Sequence, residues 1–173
     1  LGGGGITEEL MPLLDPFGCH VTVLRRTDSA FPGADATRTL AELHQVLPHA
    51  DAVILALSLT PETQGVIGRA ELALMKDTAW IINVARGGHI DQSALVAALE
   101  SRSIGGAALD VTEPEPLPDG HPFWTLPNCL ITPHVANTPE MGLELLAKRV
   151  TQNVERYLAG QELLGPVDTH AGY

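Results

Sequence analysis

Five short stretches of the chain are apolar almost without interruption: CHVTVL at 19–24, DAVILAL at 51–57, TAWIINV at 78–84, IGGAALD at 104–110 and NCLIT at 128–132. Runs of this length without polar alternation are the pattern of strands buried on both faces. Between them the apolar residues switch to helical spacing. Thr39 opens TLAEL with Glu42 three residues on, a capping box, and Leu40, Leu43 and Leu47 fall on one face. Residues 69–76 read as a short helix, and Asp91 stands as N-cap before Ala94, Leu95, Ala98 and Leu99. Thr138 and Pro139 supply a cap and a first-turn proline to Leu143, Leu146, Val150, Val154 and Tyr157, which recur at helical spacing. Strands alternating with helices over short links predict an α/β domain with a doubly wound parallel sheet and helices on both faces. TEPEPLPDGHPFWTLPN at 112–128 breaks that rhythm with five prolines, so it is expected to be an irregular loop leaving a strand's carboxyl end. Doubly wound sheets keep their chemistry at such ends.

Composition narrows the picture. At 173 residues and 45% hydrophobic, the chain suits a single domain with a real core. A formal net charge of −11 repels phosphate backbones and anionic lipid, so neither nucleic acid nor a membrane is expected as partner. Cys19 and Cys129 fit no metal spacing, and so few cysteines suit a reduced, cytoplasmic protein. No stretch has the length of a bilayer span or the form of a secretory leader.

The opening LGGGGITEEL admits two readings: a flexible linker, or the phosphate-binding turn of a Rossmann-type domain. In that turn G-x-G-x-x-G lies between strand and helix, because the backbone must approach a pyrophosphate at the helix N-terminus. Gly2 and Gly4 fill the first two positions and Thr7 the third. Thr7 is expected to cap the following helix, TEELMPLLDPF, and Pro12 to bend or shorten it. About 20 residues on, where an acidic residue binds the ribose hydroxyls of NAD, stand Arg25 and Arg26. They are either an ordinary solvated strand end or a guanidinium pair suited to the 2′-phosphate of NADP(H). NADP(H) is therefore favoured, with NAD(H) open.

NVARGGHID at 83–91, LDVTEPEPLP at 109–118 and ITPHVANTPE at 131–140 follow three successive strands, and PETQGVIG at 61–68 and LPNCLITPH at 126–134 accompany them. Each piece alone is weak, but as an ordered set from Gly2 to about residue 160 they resemble the NAD(P)-binding domain of the D-isomer-specific 2-hydroxyacid dehydrogenases. That resemblance implies an oxidoreductase interconverting 2-keto and D-2-hydroxy acids, such as a glyoxylate or hydroxypyruvate reductase, and a homodimer. It implies Arg86, Glu115 and His134 as the catalytic set. A forked cation suits a substrate carboxylate and keto oxygen, an imidazole donates a proton near neutral pH, and a carboxylate beside it favours imidazolium. Glu113 competes with Glu115, and the family spacing from Asp110 favours Glu115. Around the cofactor the resemblance places Gly2, Gly4, Gly5, Ile6, Thr7, Arg25, Arg26, Leu57, Ser58, Thr63, Val84, Ala85, Arg86, Asp110, His134 and Ala136. Trp124 is expected to pack the long loop. His20, His44, His49, His89, His121 and His170 show no metal spacing and are expected to be structural or exposed.

The sequence departs from the family after the histidine, where HVANT is one residue shorter than the usual H-x-A/G-G-x-T. The strand expected before the glycines is represented by Leu1, and the separate substrate domain is not recognisable. The expectation is a dinucleotide-binding domain at 1–160 and a tail at 161–173 leading toward that domain, with little turnover by this portion alone. A nucleotide-sensing corepressor of the same fold remains an alternative, since such relatives can retain the same three residues. Formate dehydrogenase, where glutamine replaces the acidic residue, is disfavoured by Glu115.

Overall fold

The computed structural model describes residues 1–167, so His170 and the end of the expected tail lie outside the described residues. All strand pairings are parallel. β1 (Thr22–Arg25) pairs with β2 (Ala36–Thr39), while β3 (Ala52–Leu55), β4 (Trp80–Asn83), β5 (Gly106–Leu109) and β6 (Cys129–Ile131) pair in chain order. Leu1 and Gly2 lie between the two sets: the Gly2 N–H donates to Leu24 O at 2.8 Å, and the Ala56 N–H donates to Leu1 O at 2.8 Å. The order across the molecule is thus β2-β1-Leu1-β3-β4-β5-β6, and it reverses direction at the glycine turn. Such a reversal opens a crevice at the strands' carboxyl ends.

The sheet separates two cores. On β1, Val23 packs with Met11 and Phe31, whereas its neighbour Leu24 packs with Leu43, Leu47 and Leu55. Successive strand residues face opposite sides, so this division is the signature of helices on both faces. The larger core also holds Ile67, Ile81, Leu95, Leu99, Ile104 and Phe123. Helix α1 (Gly5–Leu14) carries Met11; α2 (Leu43–Val46), α3 (Arg69–Leu74) and α4 (Gln92–Glu100) supply Leu43, Leu72 and Leu95 to the other side.

Several elements form where the sequence places them, with shifted ends. Asp91 caps α4 by accepting from the Ala94 N–H at 3.0 Å. Glu42 reaches back to the Thr39 N–H at 3.0 Å, but the helix it opens is a 3-10 turn at Leu40–Glu42 followed by the one-turn α2. The run at 19–24 becomes a strand only from Thr22, leaving Cys19 and His20 exposed. β2 has no counterpart in the sequence reading. ATRT lacks an apolar run because β2 has a strand neighbour on one side alone.

The chain packs as two compact units, Leu1–Pro133 and the segment from His134 on. The first unit ends at Pro133, and α5 (Pro139–Leu158) belongs to the second. Within that unit the tail turns back on its helix: the Leu164 N–H donates to Asn153 Oδ1 at 2.8 Å, and Asn153 Nδ2 donates to Leu164 O at 3.1 Å. Among the described residues, no helix is long and apolar enough to cross a membrane, and no group of His, Cys, Asp or Glu is placed to hold a metal ion.

Candidate active site

The glycine turn is shaped for close approach. Gly2 has φ +104°, and a Cβ there would sit 2.2 Å from Ala56 O, so no other residue fits. Gly4 is the N-cap of α1, with extended backbone and no side-chain cap. Thr7 therefore does not cap the helix as expected. It lies inside the first turn, buried, and its hydroxyl donates to Gly2 O at 3.0 Å, tying turn to helix. Nothing lies within 4 Å of where a Cβ on Gly4 or Gly5 would be. Open space above amide groups at a helix N-terminus is the geometry that accepts a phosphate. Pro12 is tolerated within α1, which ends two residues later and passes into a 3-10 turn at Asp15–Phe17.

Arg25, the last residue of β1, lies across this turn. Its Cδ and Nε come within 3.1 and 3.3 Å of where a Gly3 Cβ would be, and its guanidinium carbon is 5.7 Å from the centroid of the Phe31 ring. Arg26 follows, exposed. Beyond it the Thr27 and Ser29 hydroxyls are 2.9 Å apart, a polar pair beside the arginines that the sequence reading passed over.

Across the reversal point, β3 leads into the loop 56–63. Ser58 is exposed, and Thr63 is buried beneath it with its hydroxyl donating to Ser58 O at 2.7 Å and accepting from the Thr60 N–H at 2.8 Å. Thr63 thus acts on the loop's shape, while Leu57 is half-buried and packs against the core.

β4 ends in the buried Asn83, whose carboxamide builds the next turn: Nδ2 donates to Arg86 O at 2.8 Å, and Oδ1 accepts from the Ala85 N–H at 3.0 Å. Val84 and Ala85 are held within it, and Arg86 projects exposed from its crest, donating to Ala85 O at 2.6 Å. Gly87 then lies directly against the loop after β5. A Cβ on Gly87 would be 2.1 Å from the Thr112 carbonyl carbon and 2.6 Å from Glu113 N. The sequence placed the arginine and the acidic loop at neighbouring strand ends; the structure presses their backbones together.

On that loop Glu115 is exposed, and its Oε1 accepts from the Thr112 N–H at 3.0 Å. Glu113, the competing carboxylate, is gripped through its backbone by Gln92 at the start of α4: its N–H donates to Gln92 Oε1 at 3.1 Å, and its carbonyl accepts from Gln92 Nε2. The peptide bonds at Glu113–Pro114 and Glu115–Pro116 are both cis. Asp110 at the end of β5 is buried; its N–H donates to Asn83 O at 3.0 Å, and its Oδ1 accepts from the Thr132 hydroxyl at 2.5 Å. Trp124 does not pack as expected: it is exposed, and it ties the loop through a hydrogen bond from Nε1 to Pro118 O at 3.0 Å.

Arg86, Asp110 and Glu115 therefore stand on adjoining strand ends of the first unit. His134 follows Pro133 as the first residue of the second unit, exposed and with φ +55°, and Ala136 lies two residues on, also exposed. The supporting residues Asn83, Gln92, Thr112 and Thr132 were not singled out from the sequence. Short polar residues flanking each motif were the available signal, but what each one binds depends on which strand ends become neighbours.

Comparison with known proteins accords with this arrangement. The family model for the D-isomer specific 2-hydroxyacid dehydrogenase NAD binding domain matches residues 1–136. A glyoxylate/hydroxypyruvate reductase A from Yersinia enterocolitica is 33% identical over the whole chain, and a glycerate dehydrogenase from Methylorubrum extorquens is 41% identical over 70% of it. The chain spans about half the length of the curated relatives it matches, 55% and 40% for these two. Among solved structures, a D-isomer specific 2-hydroxyacid dehydrogenase from Xanthobacter autotrophicus in complex with NADPH superposes with a TM-score of 0.89 at 38% identity, over 99% of this chain and 70% of that one. An NADPH-dependent glyoxylate/hydroxypyruvate reductase from Sinorhizobium meliloti, bound to NADP and sulfate, gives 0.91 at 32%, over 99% and 55%. A parallel sheet that reverses at a glycine turn, the ARG turn packed on the EPEPLP loop, and a family match over most of the length lead to one conclusion: the chain belongs to the D-isomer-specific 2-hydroxyacid dehydrogenases, of which it carries the NAD-binding domain.

Proposed function

We propose that this chain is the nucleotide-binding part of an oxidoreductase that interconverts 2-keto acids and D-2-hydroxy acids, with NADP(H) preferred over NAD(H). The observation that carries the reading is the backbone contact of Gly87 with Thr112 and Glu113, which holds the Arg86 turn and the Glu115 loop together at the carboxyl ends of β4 and β5. Relatives with the same domain are named as glyoxylate/hydroxypyruvate reductase and glycerate dehydrogenase, which supports small 2-keto acids as the substrate class.

The residues present fit a dinucleotide. Gly2 lets the turn pack against the Ala56 backbone, Gly4 and Gly5 leave the amide end of α1 open, and Arg25 lies across the turn. A bound nicotinamide would supply the hydride. Arg86 offers a forked donor to a carboxylate and a keto oxygen, and it stabilises negative charge as it develops there. His134 is the proton donor to that oxygen in this reading. The Thr112 N–H fixes one oxygen of the Glu115 carboxylate in advance.

A homodimer in the cytoplasm completes the reading. α5 exposes Leu143, Leu146, Val150, Val154 and Tyr157, the apolar stripe a second copy would cover, and the net charge of −11 disfavours nucleic acid and anionic membranes.

The test is NADPH oxidation by the full-length polypeptide, followed at 340 nm with glyoxylate, hydroxypyruvate and a panel of larger 2-keto acids. His134→Gln is expected to lower kcat by roughly 10²–10⁴-fold. Arg86→Gln is expected to raise the keto-acid KM and lower kcat. Nucleotide binding without turnover of any keto acid would favour a corepressor-like role instead.

A further inference from the structure

His89 is completely buried, and both nitrogens of its ring face carbonyl oxygens: Nδ1 lies 3.1 Å from Thr63 O and Nε2 3.1 Å from Leu57 O. Those carbonyls stand at the two ends of the 57–63 stretch, so the ring holds the loop after β3 at both ends. Through its backbone the same residue closes the Arg86 turn. Its N–H donates to Arg86 O at 3.3 Å, and its carbonyl accepts from the Ile67 N–H at 3.0 Å. Turn and loop are further joined by the Gly65 N–H to Gly88 O at 2.9 Å and the Asp91 N–H to Ile67 O at 2.9 Å. A leucine would fill this space without desolvating a polar ring, so the imidazole's hydrogen bonds have to offset a cost that packing alone does not incur.

We propose that His89 is a positioning residue that couples the seating of the nicotinamide cofactor on the 57–63 loop to the placement of Arg86; the inference rests on the oxidoreductase reading above. Each ring nitrogen faces one carbonyl, so the ring links the two ends of the 57–63 loop. The bond to Leu57 O fixes the peptide that leads into Ser58. The bond to Thr63 O holds the residue whose hydroxyl already grips Ser58 O. Displacing the loop therefore moves the ring, and the ring belongs to the turn that presents Arg86.

The experiment compares wild type with His89→Leu, His89→Gln and His89→Asn in the full-length polypeptide, by NADPH fluorescence titration and by steady-state kinetics well below each variant's Tm. His89→Leu keeps volume and removes the ring nitrogens; NADPH binding is expected to weaken roughly tenfold, and kcat to fall by a similar factor. The longer amide of His89→Gln reaches toward Leu57 O and is expected to recover most of the affinity. His89→Asn, whose shorter amide takes the place of Nδ1 beside Thr63 O, is not. The proposal is overturned if folded His89→Leu has a lowered Tm but wild-type kcat and NADPH affinity, the outcome for a purely structural histidine. Should that variant not fold, equal NADPH affinity and kcat in His89→Asn, His89→Gln and wild type overturn it. Failure of the wild type to bind either nicotinamide nucleotide is a different result, because it removes the oxidoreductase reading itself.

Discussion

Gly87 shows how much of this site depends on a side chain that is not there. Its α-carbon sits so close to the Thr112 carbonyl that any Cβ would overlap backbone, which cannot rotate away as a side chain can. Gly87→Ala must push the Arg86 turn and the Glu115 loop apart. Forced overpacking of this kind costs about 1–3 kcal/mol. The expected outcome is a lower Tm together with a fall in kcat that persists at temperatures where the variant is fully folded, since the arginine no longer stands at the same distance from the loop. A variant that melts early but turns over normally when folded would separate the packing from the chemistry and remove the observation on which the functional reading rests. Asn83 acts at the same scale, its carboxamide spanning both ends of the Arg86 turn. Neither residue is informative by type, because a glycine after arginine or an asparagine at a strand end is common in any turn. Gly87 takes its meaning from Thr112, 25 positions on in the chain, and Asn83 from the turn it bonds.

At the scale of elements, α2 and α3 are joined by His44 and Glu71, whose Nε2 and Oε1 lie 2.6 Å apart, while Glu71 Oε2 accepts from the Gly68 N–H at 2.9 Å. Burial pushes the Glu71 carboxyl up, but the hydrogen bonds from His44 and Gly68 outweigh it and hold the group below the usual range. A carboxyl with a lowered folded-state pKa contributes stability that is present above its ordinary value of about 4.3 and is lost as the pH falls through the lower folded value. Glu71→Gln keeps an acceptor for Gly68 and loses the charge. Its Tm deficit relative to wild type is therefore expected to be fully present above about pH 5 and to close as the pH is taken below about 4. Glu71→Ala also loses the acceptor at the start of α3, about 1 kcal/mol at neutral pH. A pH-independent deficit in Glu71→Gln would show that shape, not charge, joins the helices. Elements such as β3, β4, α4 and the α5 pattern were legible because continuous apolar runs and helical spacing are local properties. β2 was not, since an edge strand of alanine, threonine and arginine has no local signature until β1 lies beside it. The first turn of α1 was half legible: the glycines marked the bend, but Thr7 proved to bond backward to Gly2 rather than to cap the helix. The strand ends that carry Arg86, Asp110 and Glu115 were found as an ordered set, whereas the clamps that hold them, Gln92 and Thr132, join residues 21 and 22 positions apart and depend on the sheet.

For the molecule as a whole, the question is how a body of net charge −11 holds a polyanionic nucleotide. At long range the protein repels such a ligand, and salt screens that repulsion. Affinity must therefore come from short-range contacts at the glycine turn, and they divide into two kinds. In the proposed reading the amides of α1 would serve a pyrophosphate that NADH and NADPH share. Arg25, held across the turn by Phe31, and Arg26 beyond it are the residues that, in the proposed reading, would meet a charge that NADPH alone carries. Replacing both arginines by glutamine keeps much of their stems, so Gly3 and Phe31 retain neighbours while the guanidinium charges are lost. Each charge-assisted hydrogen bond contributes about 1.5–3 kcal/mol, so losing one at each arginine is expected to weaken NADPH binding roughly 10²–10⁴-fold. NADH affinity should stay within about threefold, because its contacts to the turn are backbone ones. The measurement is a pair of fluorescence titrations at matched ionic strength. Equal losses for both nucleotides would show that the arginines shape the turn rather than read the 2′-phosphate, and the preference for NADP(H) would lose its physical basis.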